Sequence, residues 1–511
     1  MDRYEAAIIG AGPEGLVASI VLARAGLRVL LVEKSDEPGG RATTLEFHPG
    51  FRASPYADEL PPMAHRLYRS LGLARHGAIL TPSPASVAVT DSGTSVLFAN
   101  EELLARSAPA EAVADLLAFK RERQNAHAAV ENRAATITRV QRRWFGSNNA
   151  PSSAASWPSA GWVSDSLDGL LRARIGNPLL RLHLAADAIS GRAVSPFLAG
   201  TALHALAPGI GGSGQPPAGL GRLARALVDI ATANRVTIRC NAAVTRVPVS
   251  QGRAAGIVVD GNETIEAAAV LSTLDLKQTI LGLVRWSDLP DALPKRIGRF
   301  RMAGQRARVL FALDAPPEIP FACEPRDAAC GPIHVADSFE NFCRSYESWR
   351  RGDIPECPLV TLRVPSFSDP RLAPIGKAVM TATLGGIPAR LFDGAWTEEK
   401  RNRLSQLALA AAERAMPGVA ARLLAQHVLV GSDFEAALGA TAGDLDGGEL
   451  SPDQALDFRP LGGPEWQDGR VPVHGLYLGG PSSAASPFLL GASGERAALA
   501  MLADFQTGLL R

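Results

Sequence analysis

The sequence predicts an α/β protein in which a discontinuous parallel-sheet domain is joined to a second domain of mixed α+β structure. Two observations predict this class. Near both ends of the chain, short apolar segments pass through glycine-rich turns into helical patterns. Two long inserts separate these regions, and the 511 residues are enough for two or three hydrophobic cores.

The first 41 residues contain the parts of a βαβ unit. An apolar strand at residues 6–9 leads through a glycine-rich turn at residues 10–15 into a helical pattern at residues 16–25. A second apolar strand, residues 29–32, completes the unit. This order of elements is typical of a parallel sheet with a crossover helix.

The turn in this unit matches the Gly-x-Gly-x-x-Gly fingerprint of Rossmann-like dinucleotide-binding domains. Gly10 permits the tight turn, Gly12 lets a pyrophosphate approach the backbone, and Gly15 lets helix and strand pack closely. Pro13, in the same turn, belongs to the predicted cofactor site. The free N–H groups at the start of the helix suit phosphate oxygens. The turn therefore predicts that the chain binds an adenine dinucleotide.

Residues beyond the second strand extend the predicted site. Glu33 stands 18 positions after the last glycine of the turn, where its carboxylate can accept hydrogen bonds from ribose hydroxyls. Lys34 adjoins it and is included in the site. Gly39, Gly40 and Arg41 then offer bare backbone and a guanidinium for a second approach to the pyrophosphate. The alternative interpretation of these three residues is an ordinary Pro-Gly-Gly turn.

Composition excludes several classes of protein. The formal net charge is +1, so no overall field attracts nucleic acid. The five cysteines form no Cys-x-x-Cys pair, which argues against a redox-active disulfide and a zinc site and fits a reducing compartment. The N-terminus lacks a signal-peptide pattern, and no apolar run reaches the roughly 18 residues that span a bilayer. We therefore predict a cytoplasmic protein without a metal.

After the βαβ unit the sequence predicts an irregular stretch at residues 44–60, followed by helical patterns at residues 62–73 and 101–145. The second pattern is basic along one side. A solvated helix face is the favoured interpretation, and a surface for a membrane or an anionic partner is the alternative. The basic residues are Lys120, Arg121, Arg123, Arg133, Arg139, Arg142 and Arg143.

The rest of the chain predicts a second block of short strands and a final strand–helix pair. A Gly-Pro loop at residues 209–221 precedes a helix at residues 223–234. Asp260-Gly261 is a strong hairpin signal. No second dinucleotide fingerprint with its own acidic residue occurs, which excludes a separate NAD(P)-binding domain. Further strands are predicted at residues 236–239, 243–247, 255–259, 264–271, 308–313, 359–364, 378–383 and 475–478, and helices at residues 398–415 and 493–506.

The whole chain resembles the phytoene-desaturase-like FAD-dependent oxidoreductases of the flavin amine-oxidase superfamily. Individually the middle motifs are weak, but their order and spacing together make the resemblance strong. It implies that FAD is the cofactor. It also implies a Rossmann-like FAD/NAD(P)-binding domain, discontinuous in sequence, with a mixed α+β substrate domain above the flavin ring. The resemblance is carried by residues 10–41, 48–51, 217–223, 241–247, 365–377, 443–460, 475–480 and 491–498.

The resemblance also assigns residues to the cofactor in the middle and at the end of the chain. It implies that Val244 frames the adenine through its backbone. A strand ending at Gly479 and Gly480 would let the backbone pass close to the ribityl phosphate. The closing motif contributes Gly491, Ala492 and Ser493, where the start of the last helix would direct N–H groups toward the flavin ring.

From these motifs we predict five chain segments in two domains. The FAD-binding domain comprises residues 1–72, 205–285 and 428–511. The substrate domain comprises residues 73–204 and 286–427, and the substrate pocket is expected between the two domains.

The predicted reaction is removal of a hydride from a largely apolar organic substrate of carotenoid or isoprenoid type. A flavin amine oxidase and a redox-inert FAD-containing isomerase or assembly partner are alternatives from other classes. The small-molecule substrate is the one predicted partner, and peripheral membrane contact stays open. No catalytic residue stands out, and Lys377 is more typical of a surface position than of a catalytic lysine.

The chain departs from the family pattern at two places near the expected substrate side of the flavin. Gly447 stands where many relatives carry a histidine, and residues 481–488 replace a glycine-rich loop. Cofactor binding is therefore better supported by the sequence than any particular substrate.

Overall fold

The structure is a computed structural model. Among the residues it describes, no helix is both long and apolar enough to cross a membrane, and no three metal-binding side chains lie together. Predicted features at residues 137–150, 209–213, 216–218 and 484–488 lie outside the described part of the chain. The described residues are 4–61, 63–78, 81–82, 85–98, 101–102, 104, 110–136, 159–206, 214–215, 219–321, 331–455, 458–461, 466, 468–483 and 489–510.

Twenty strands are described, and they are labelled in chain order. In the first half of the chain they are β1 Tyr4–Ile9, β2 Val29–Val32, β3 Leu45–His48, β4 Phe51–Ala53, β5 Thr81–Pro82, β6 Ala85–Thr90, β7 Gly93–Phe98, β8 Gly214–Gln215, β9 Thr237–Arg239 and β10 Val244–Arg246. In the second half they are β11 Val249–Ser250, β12 Arg253–Ala254, β13 Gly256–Val259, β14 Glu263–Ser272, β15 Arg306–Leu313, β16 Ile333–Val335, β17 Val360–Arg363, β18 Ala378–Gly385, β19 Leu423–Leu429 and β20 Leu476–Leu478.

The described α-helices are labelled in the same way. They are α1 Pro13–Arg24, α2 His65–Leu71, α3 Ala110–Thr136, α4 Ala160–Ser164, α5 Leu167–Arg172, α6 Pro178–Ile189, α7 Leu220–Ala233, α8 Leu293–Gly298, α9 Phe339–Arg351, α10 Pro365–Ser368, α11 Glu398–Ala415, α12 Gly431–Leu438 and α13 Ala492–Gln506.

The first sheet brings together strands from three distant parts of the chain. Strands β20, β14, β1, β2 and β9 pair in parallel, and β13 and β10 extend the sheet by antiparallel pairing beside the first half of β14. The apolar faces of α1, α7 and α13 cover one face of this sheet in a continuous buried core. The predicted α/β class and the Rossmann-like arrangement are thereby confirmed.

The second sheet has the order β19-β15-β18-β17-β16-β6-β7 and is antiparallel except for the β16–β6 pair. Helix α11 packs its apolar side on this sheet, and Leu404, Ala408 and Ala412 are fully buried there. Helices α3 to α6 form a separate helical core around Trp162 and Leu203. This part of the molecule has the mixed α+β structure that the sequence predicts.

Local predictions were mostly confirmed, with one clear error. Strand β2 and helix α11 have the predicted bounds, and Asp260 and Gly261 both take left-handed backbone conformations in the β13–β14 turn. Residues 44–60 are not irregular, because β3 and β4 form an antiparallel hairpin there. The four predicted boundaries between the five chain segments stay a prediction.

The basic residues on α3 are not all exposed, as they would be on a fully solvated helix face. Arg121 is exposed, whereas Arg123 is partly buried and its charge interacts with that of Asp187 in the molecule's interior.

Candidate cofactor and substrate site

A cleft of about 240 Å³ lies at the carboxyl ends of the parallel strands of the first sheet, where α/β proteins bind nucleotides. We call it the dinucleotide cleft. Ile9, Val32 and Thr273 stand at the ends of three neighbouring strands and contribute to its wall. Eight of the sequence-predicted site residues line it, namely Gly10, Gly12, Pro13, Glu33, Lys34, Gly40, Arg41 and Val244.

Each glycine of the first turn is required for a different geometric reason. Gly10 has a φ of +95°, which a side chain would strain. A Cβ on Gly15 would lie 1.9 Å from the Gly10 carbonyl oxygen, so helix α1 can approach β1 only without one. Gly12 and Gly40 face each other, since a Cβ on Gly40 would lie 3.0 Å from the Gly12 Cα. The cleft wall at this point is bare backbone that phosphate oxygens can approach.

Glu33 is buried at the end of β2 and holds the turn in place. Its carboxylate accepts hydrogen bonds from the backbone N–H groups of Ala11 at 2.8 Å and Ser35 at 3.0 Å. A carboxylate offers about four acceptor positions, so capacity for ribose hydroxyls remains. Lys34 donates to the Ala436 carbonyl oxygen at 2.8 Å, and burial lowers its pKa. It therefore joins the β2 end to α12 across the cleft mouth.

The second glycine pair positions Arg41. Gly39 donates to the Ala11 carbonyl oxygen at 2.9 Å, and its φ of +145° lies in the region that favours glycine. Arg41 donates to the Leu445 carbonyl oxygen. Burial lowers the Arg41 pKa, while the nearby Asp446 charge raises it. Arg41 lines the dinucleotide cleft and also a neighbouring cavity, so it stands at their junction.

The closing motif lies behind the cleft wall. A Cβ on Gly480 would lie 2.3 Å from the Leu274 carbonyl oxygen, and one on Gly479 would crowd Leu271 and Ala497. Close packing therefore leaves no room for a side chain at either position. Gly15, Gly39, Gly479, Gly480, Gly491, Ala492 and Ser493 are not among the residues that line the cleft, and their contact with a cofactor stays a prediction.

Glu14, which the sequence interpretation missed, meets the start of α13. Its carboxylate accepts hydrogen bonds from the N–H groups of Gly491 and Gly494, both at 2.8 Å. Burial raises the Glu14 pKa to about 7, although both hydrogen bonds lower it. Two N–H groups that we predicted to face the flavin ring are thus directed at Glu14. An acidic residue in the first turn of the fingerprint helix was the available signal.

A second cavity, about 140 Å³, adjoins the cleft and shares Arg41, Leu60 and Pro61 with it. We call it the arginine cavity. Its wall carries five guanidinium groups and four carboxylates. These are Arg41, Arg192, Arg306, Arg308, Arg363, Asp58, Glu59, Asp187 and Asp446.

At the end of the arginine cavity formed by β15, β17 and β18, opposite charges pair one to one. Arg308 donates to both carboxylate oxygens of Asp58, and Arg363 donates to Glu59. Burial alone would raise the Asp58 pKa, but the Arg308 charge and hydrogen bonds hold it below its ordinary value. Thr381 also donates to Asp58 at 2.8 Å. The contacts with Arg308 and Thr381 therefore favour the ionised form of Asp58.

Histidines of the second domain lie beside the same cavity. His334 on β16 is 1% exposed, and its Nε2 lies 3.5 Å from the Asp187 carboxylate. His183 on α6 lies between Ser86 and Ser95, and burial lowers its pKa to about 3. His183 is thus a neutral core residue.

The two departures from the family pattern lie near this region. A Cβ on Gly447 would lie 2.4 Å from the Pro481 carbonyl carbon, so a histidine does not fit this backbone. The adjacent Asp446 supplies a charged group to the arginine cavity instead. Lys377 lines neither cavity and pairs with Asp314 at 3.2 Å on the surface.

Comparisons with known proteins agree with this geometry. The family model of flavin containing amine oxidoreductases matches residues 15–304. The pyridine nucleotide-disulfide oxidoreductase domain-containing protein 2 of Rattus norvegicus is 28% identical, with 99% of this chain and 94% of that protein covered. A phytoene dehydrogenase of Streptomyces griseus is 27% identical over 89% of this chain and 87% of its own.

A solved structure shares the fold. Cyclohexylamine oxidase from Brevibacterium oxydans IH-35A superposes with a TM-score of 0.55 at 16% identity, covering 99% of this chain and 100% of the oxidase. At this identity the likeness concerns the fold alone.

The family match and the cleft agree on the cofactor. The bare Gly12–Gly40 wall and the Glu33 carboxylate at the end of β2 fit the phosphates and ribose of a dinucleotide. FAD is the flavin that contains both parts. The chain belongs to the flavin containing amine oxidoreductase family, and it is an FAD-dependent oxidoreductase.

Proposed function

We propose that this oxidoreductase is a dehydrogenase of the desaturase type, which removes a hydride from an organic substrate in the arginine cavity. One observation carries the proposal: the dinucleotide cleft and the arginine cavity adjoin, and they share the lining residues Arg41, Leu60 and Pro61. A substrate in one cavity would therefore adjoin a cofactor in the other.

The cofactor would be held by the residues of the dinucleotide cleft. Glu33 would accept from ribose hydroxyls, and the Gly12 and Gly40 backbone would meet the pyrophosphate. Arg41 would contribute positive charge where the cleft meets the arginine cavity. Bound FAD supplies two-electron redox chemistry.

The sequence predicts a largely apolar substrate of carotenoid or isoprenoid type, and the phytoene dehydrogenase relative supports an isoprenoid skeleton. The charged lining of the arginine cavity modifies this prediction. A pure hydrocarbon there would bury the charges of Arg192 and Arg306 without adding any partner, which is unfavourable. We therefore propose a substrate that combines a hydrocarbon part with a polar group.

The amine-oxidase alternative has less support from the cavity walls. Such enzymes commonly place aromatic rings beside the flavin, and Tyr56 is the one Phe, Tyr or Trp among the described residues that line the two cavities. The name of the rat relative mentions disulfide chemistry. This chain has no Cys-x-x-Cys pair, and the described cysteines Cys240, Cys343 and Cys357 are free, so we do not propose disulfide chemistry for it.

Anaerobic reduction of the purified holoenzyme tests the proposal. We expect an isoprenoid carrying a polar group to bleach the visible flavin absorbance, whereas primary amines and NADPH leave it unchanged. Bleaching by amines alone would favour an amine oxidase. Bleaching by dithionite but by no organic compound would favour a redox-inert role. Rapid bleaching by NADPH would contradict the prediction that the chain has a single nucleotide-binding domain.

A further inference from the structure

Positive charge is in excess at the end of the arginine cavity nearest the dinucleotide cleft. Arg41, Arg192 and Arg306 surround one carboxylate, Asp446. Arg306 Nη2 donates to Asp446 Oδ2, and Arg192 Nε lies 3.7 Å from the same oxygen. The side chains of Arg192 and Arg306 are each 14% exposed. Little solvent therefore screens these cations.

The other carboxyl group near this end does not balance the excess. Burial, together with the nearby Asp446 charge, raises the Asp444 pKa to about 7. Asp444 is therefore protonated in a large fraction of molecules at neutral pH. Asp446 stays ionised, because the charges of Arg306, Arg192 and Arg41 outweigh burial and lower its pKa to about 2. Three guanidinium groups thus share one dependable negative charge.

Unfilled hydrogen-bonding positions in the same wall point to a ligand as well. The Nε atom of Arg41, at this end of the cavity, and that of Arg308, at the paired end, are both buried without a hydrogen-bond partner among the described residues. Buried polar atoms are usually paired, so such a group of orphans is unusual. A ligand rich in acceptor oxygens would supply partners to the two guanidinium groups.

From this excess of positive charge and these orphaned donors, we propose that the arginine cavity is an anion site. It binds a carboxylate through Arg192 and Arg306, so the substrate class is an organic acid. The claim that the acid is oxidised rests on the proposed function, whereas its binding does not. The pyrophosphate of the cofactor is a less suitable anion, because neither arginine lines the dinucleotide cleft.

Binding to the holoenzyme tests this proposal without turnover. Octanoate, octanol and octylamine share one chain length and differ in the head group, and calorimetry or a shift in the flavin absorbance measures their affinity. We expect octanoate to bind at least tenfold more tightly than the other two. Equal affinities, or tighter binding of octylamine, would overturn the proposal. Displacement of octanoate by an equal concentration of inorganic phosphate would overturn the assignment to carboxylates.

Variants separate an anion site from a structural cluster. R306M should weaken octanoate binding at least tenfold, and R306K should restore part of it. D446N should strengthen binding, because it removes the competing carboxylate. A structural cluster would instead weaken binding in both R306M and D446N, which would contradict the proposal. The matched control is R390M, since Arg390 is 82% exposed.

The FAD content of each variant completes the test. We expect R306M to retain FAD at the wild-type ratio while it loses octanoate. Loss of FAD from R306M with octanoate binding unchanged would mean that Arg306 serves the cofactor, and the proposal would fail. Because binding is measured directly, a weakly active but octanoate-binding holoenzyme would count against the proposed function and leave the anion site supported.

Discussion

The dinucleotide cleft and the arginine cavity share a wall but are built from different parts of the sequence. The cleft depends on backbone: Gly12 and Gly40 leave main chain exposed, and Gly15 allows α1 to reach β1. The cavity depends on side-chain charge, with Arg192 and Arg306 around Asp446. One region presents bare backbone to a ligand, and the other presents charged side chains.

The two regions therefore differ in how a single substitution would affect them. A backbone site is fixed by the spacing of glycines in a turn, so it changes only when the fold changes. The specificity of a cavity lined by charged side chains can change through a few substitutions. Removing single groups from each region tests this division.

The largest effect is expected from Gly15→Ala. Its Cβ would lie 1.9 Å from the Gly10 carbonyl oxygen, so α1 and β1 must separate. We expect the free energy of unfolding to fall by roughly 3–5 kcal/mol and FAD to be lost. Chemical denaturation and the flavin absorbance measure the two effects.

Gly298→Ala is the matched control, because the space around Gly298 in α8 is open and alanine favours a helix. It should leave FAD content unchanged and raise stability by up to about 1 kcal/mol. If G15A kept both FAD and wild-type stability, the cleft would not depend on this backbone contact.

The second largest effect concerns the paired end of the arginine cavity. Arg308 is 1% exposed and hydrogen-bonded to Asp58, so Arg308→Met leaves a buried carboxylate without its main partner. We expect a loss of about 3–5 kcal/mol in the free energy of unfolding. Arg239→Met, which removes an exposed pair with Glu263, should cost no more than about 1 kcal/mol.

The double variant R308M/D58N tests whether the buried Asp58 charge causes this loss. It removes both charges, so it should be more stable than R308M alone. A double variant less stable than R308M would show that the Asp58 charge is satisfied without Arg308, and the assignment of Arg308 as its main partner would fail.

The cleft could be predicted from the sequence because its parts are local in the chain. Turn glycines, the helix start and Glu33 fall within one βαβ unit, and their spacing defines their positions. The arginine cavity could not be predicted in this way. Arg192 follows α6 and Arg306 begins β15, and no sequence periodicity shows that both reach Asp446. Their convergence is a product of tertiary packing between two cores.

Some elements could be predicted from the sequence only in part. Strand β14 was predicted from its apolar alternation, but its role as the junction of parallel and antiparallel pairing was not. The β3–β4 hairpin was missed because its short strands are only partly apolar. The close packing of Gly479 and Gly480 against neighbouring carbonyl and side-chain atoms is visible only in the structure, and their predicted contact with the cofactor stays a prediction.

The third largest effect is expected in the pH dependence of stability, and it comes from Glu14, which lines the dinucleotide cleft. Burial raises its pKa from 4.5 to about 7, so between these values the folded chain holds a proton that the unfolded chain releases. The contribution of Glu14 to the free energy of unfolding is therefore greatest below pH 4.5 and falls by about 3 kcal/mol as the pH rises to 7. Glu14→Gln should remove this part of the pH dependence.

Denaturation at several pH values between 4.5 and 8 measures this difference between wild type and E14Q. Glu356→Gln, at an exposed carboxylate that is not among the groups that shift the Glu14 pKa, checks that the change is specific to Glu14. Identical pH profiles for wild type and E14Q would mean that the carboxyl is not buried against α13 as described.

The smallest effect is expected at Lys377, outside both regions. Its ammonium pairs with Asp314 at 3.2 Å, and the two side chains are 36% and 64% exposed. Solvent screens such a pair, so Lys377→Met should change the free energy of unfolding by less than about 1 kcal/mol. The rate of anaerobic flavin reduction by an accepted substrate should stay at the wild-type value. Lys400→Met, which breaks the surface pair with Asp393, is the control. A selective loss of flavin reduction in K377M would restore the catalytic-lysine interpretation and place chemistry outside both cavities.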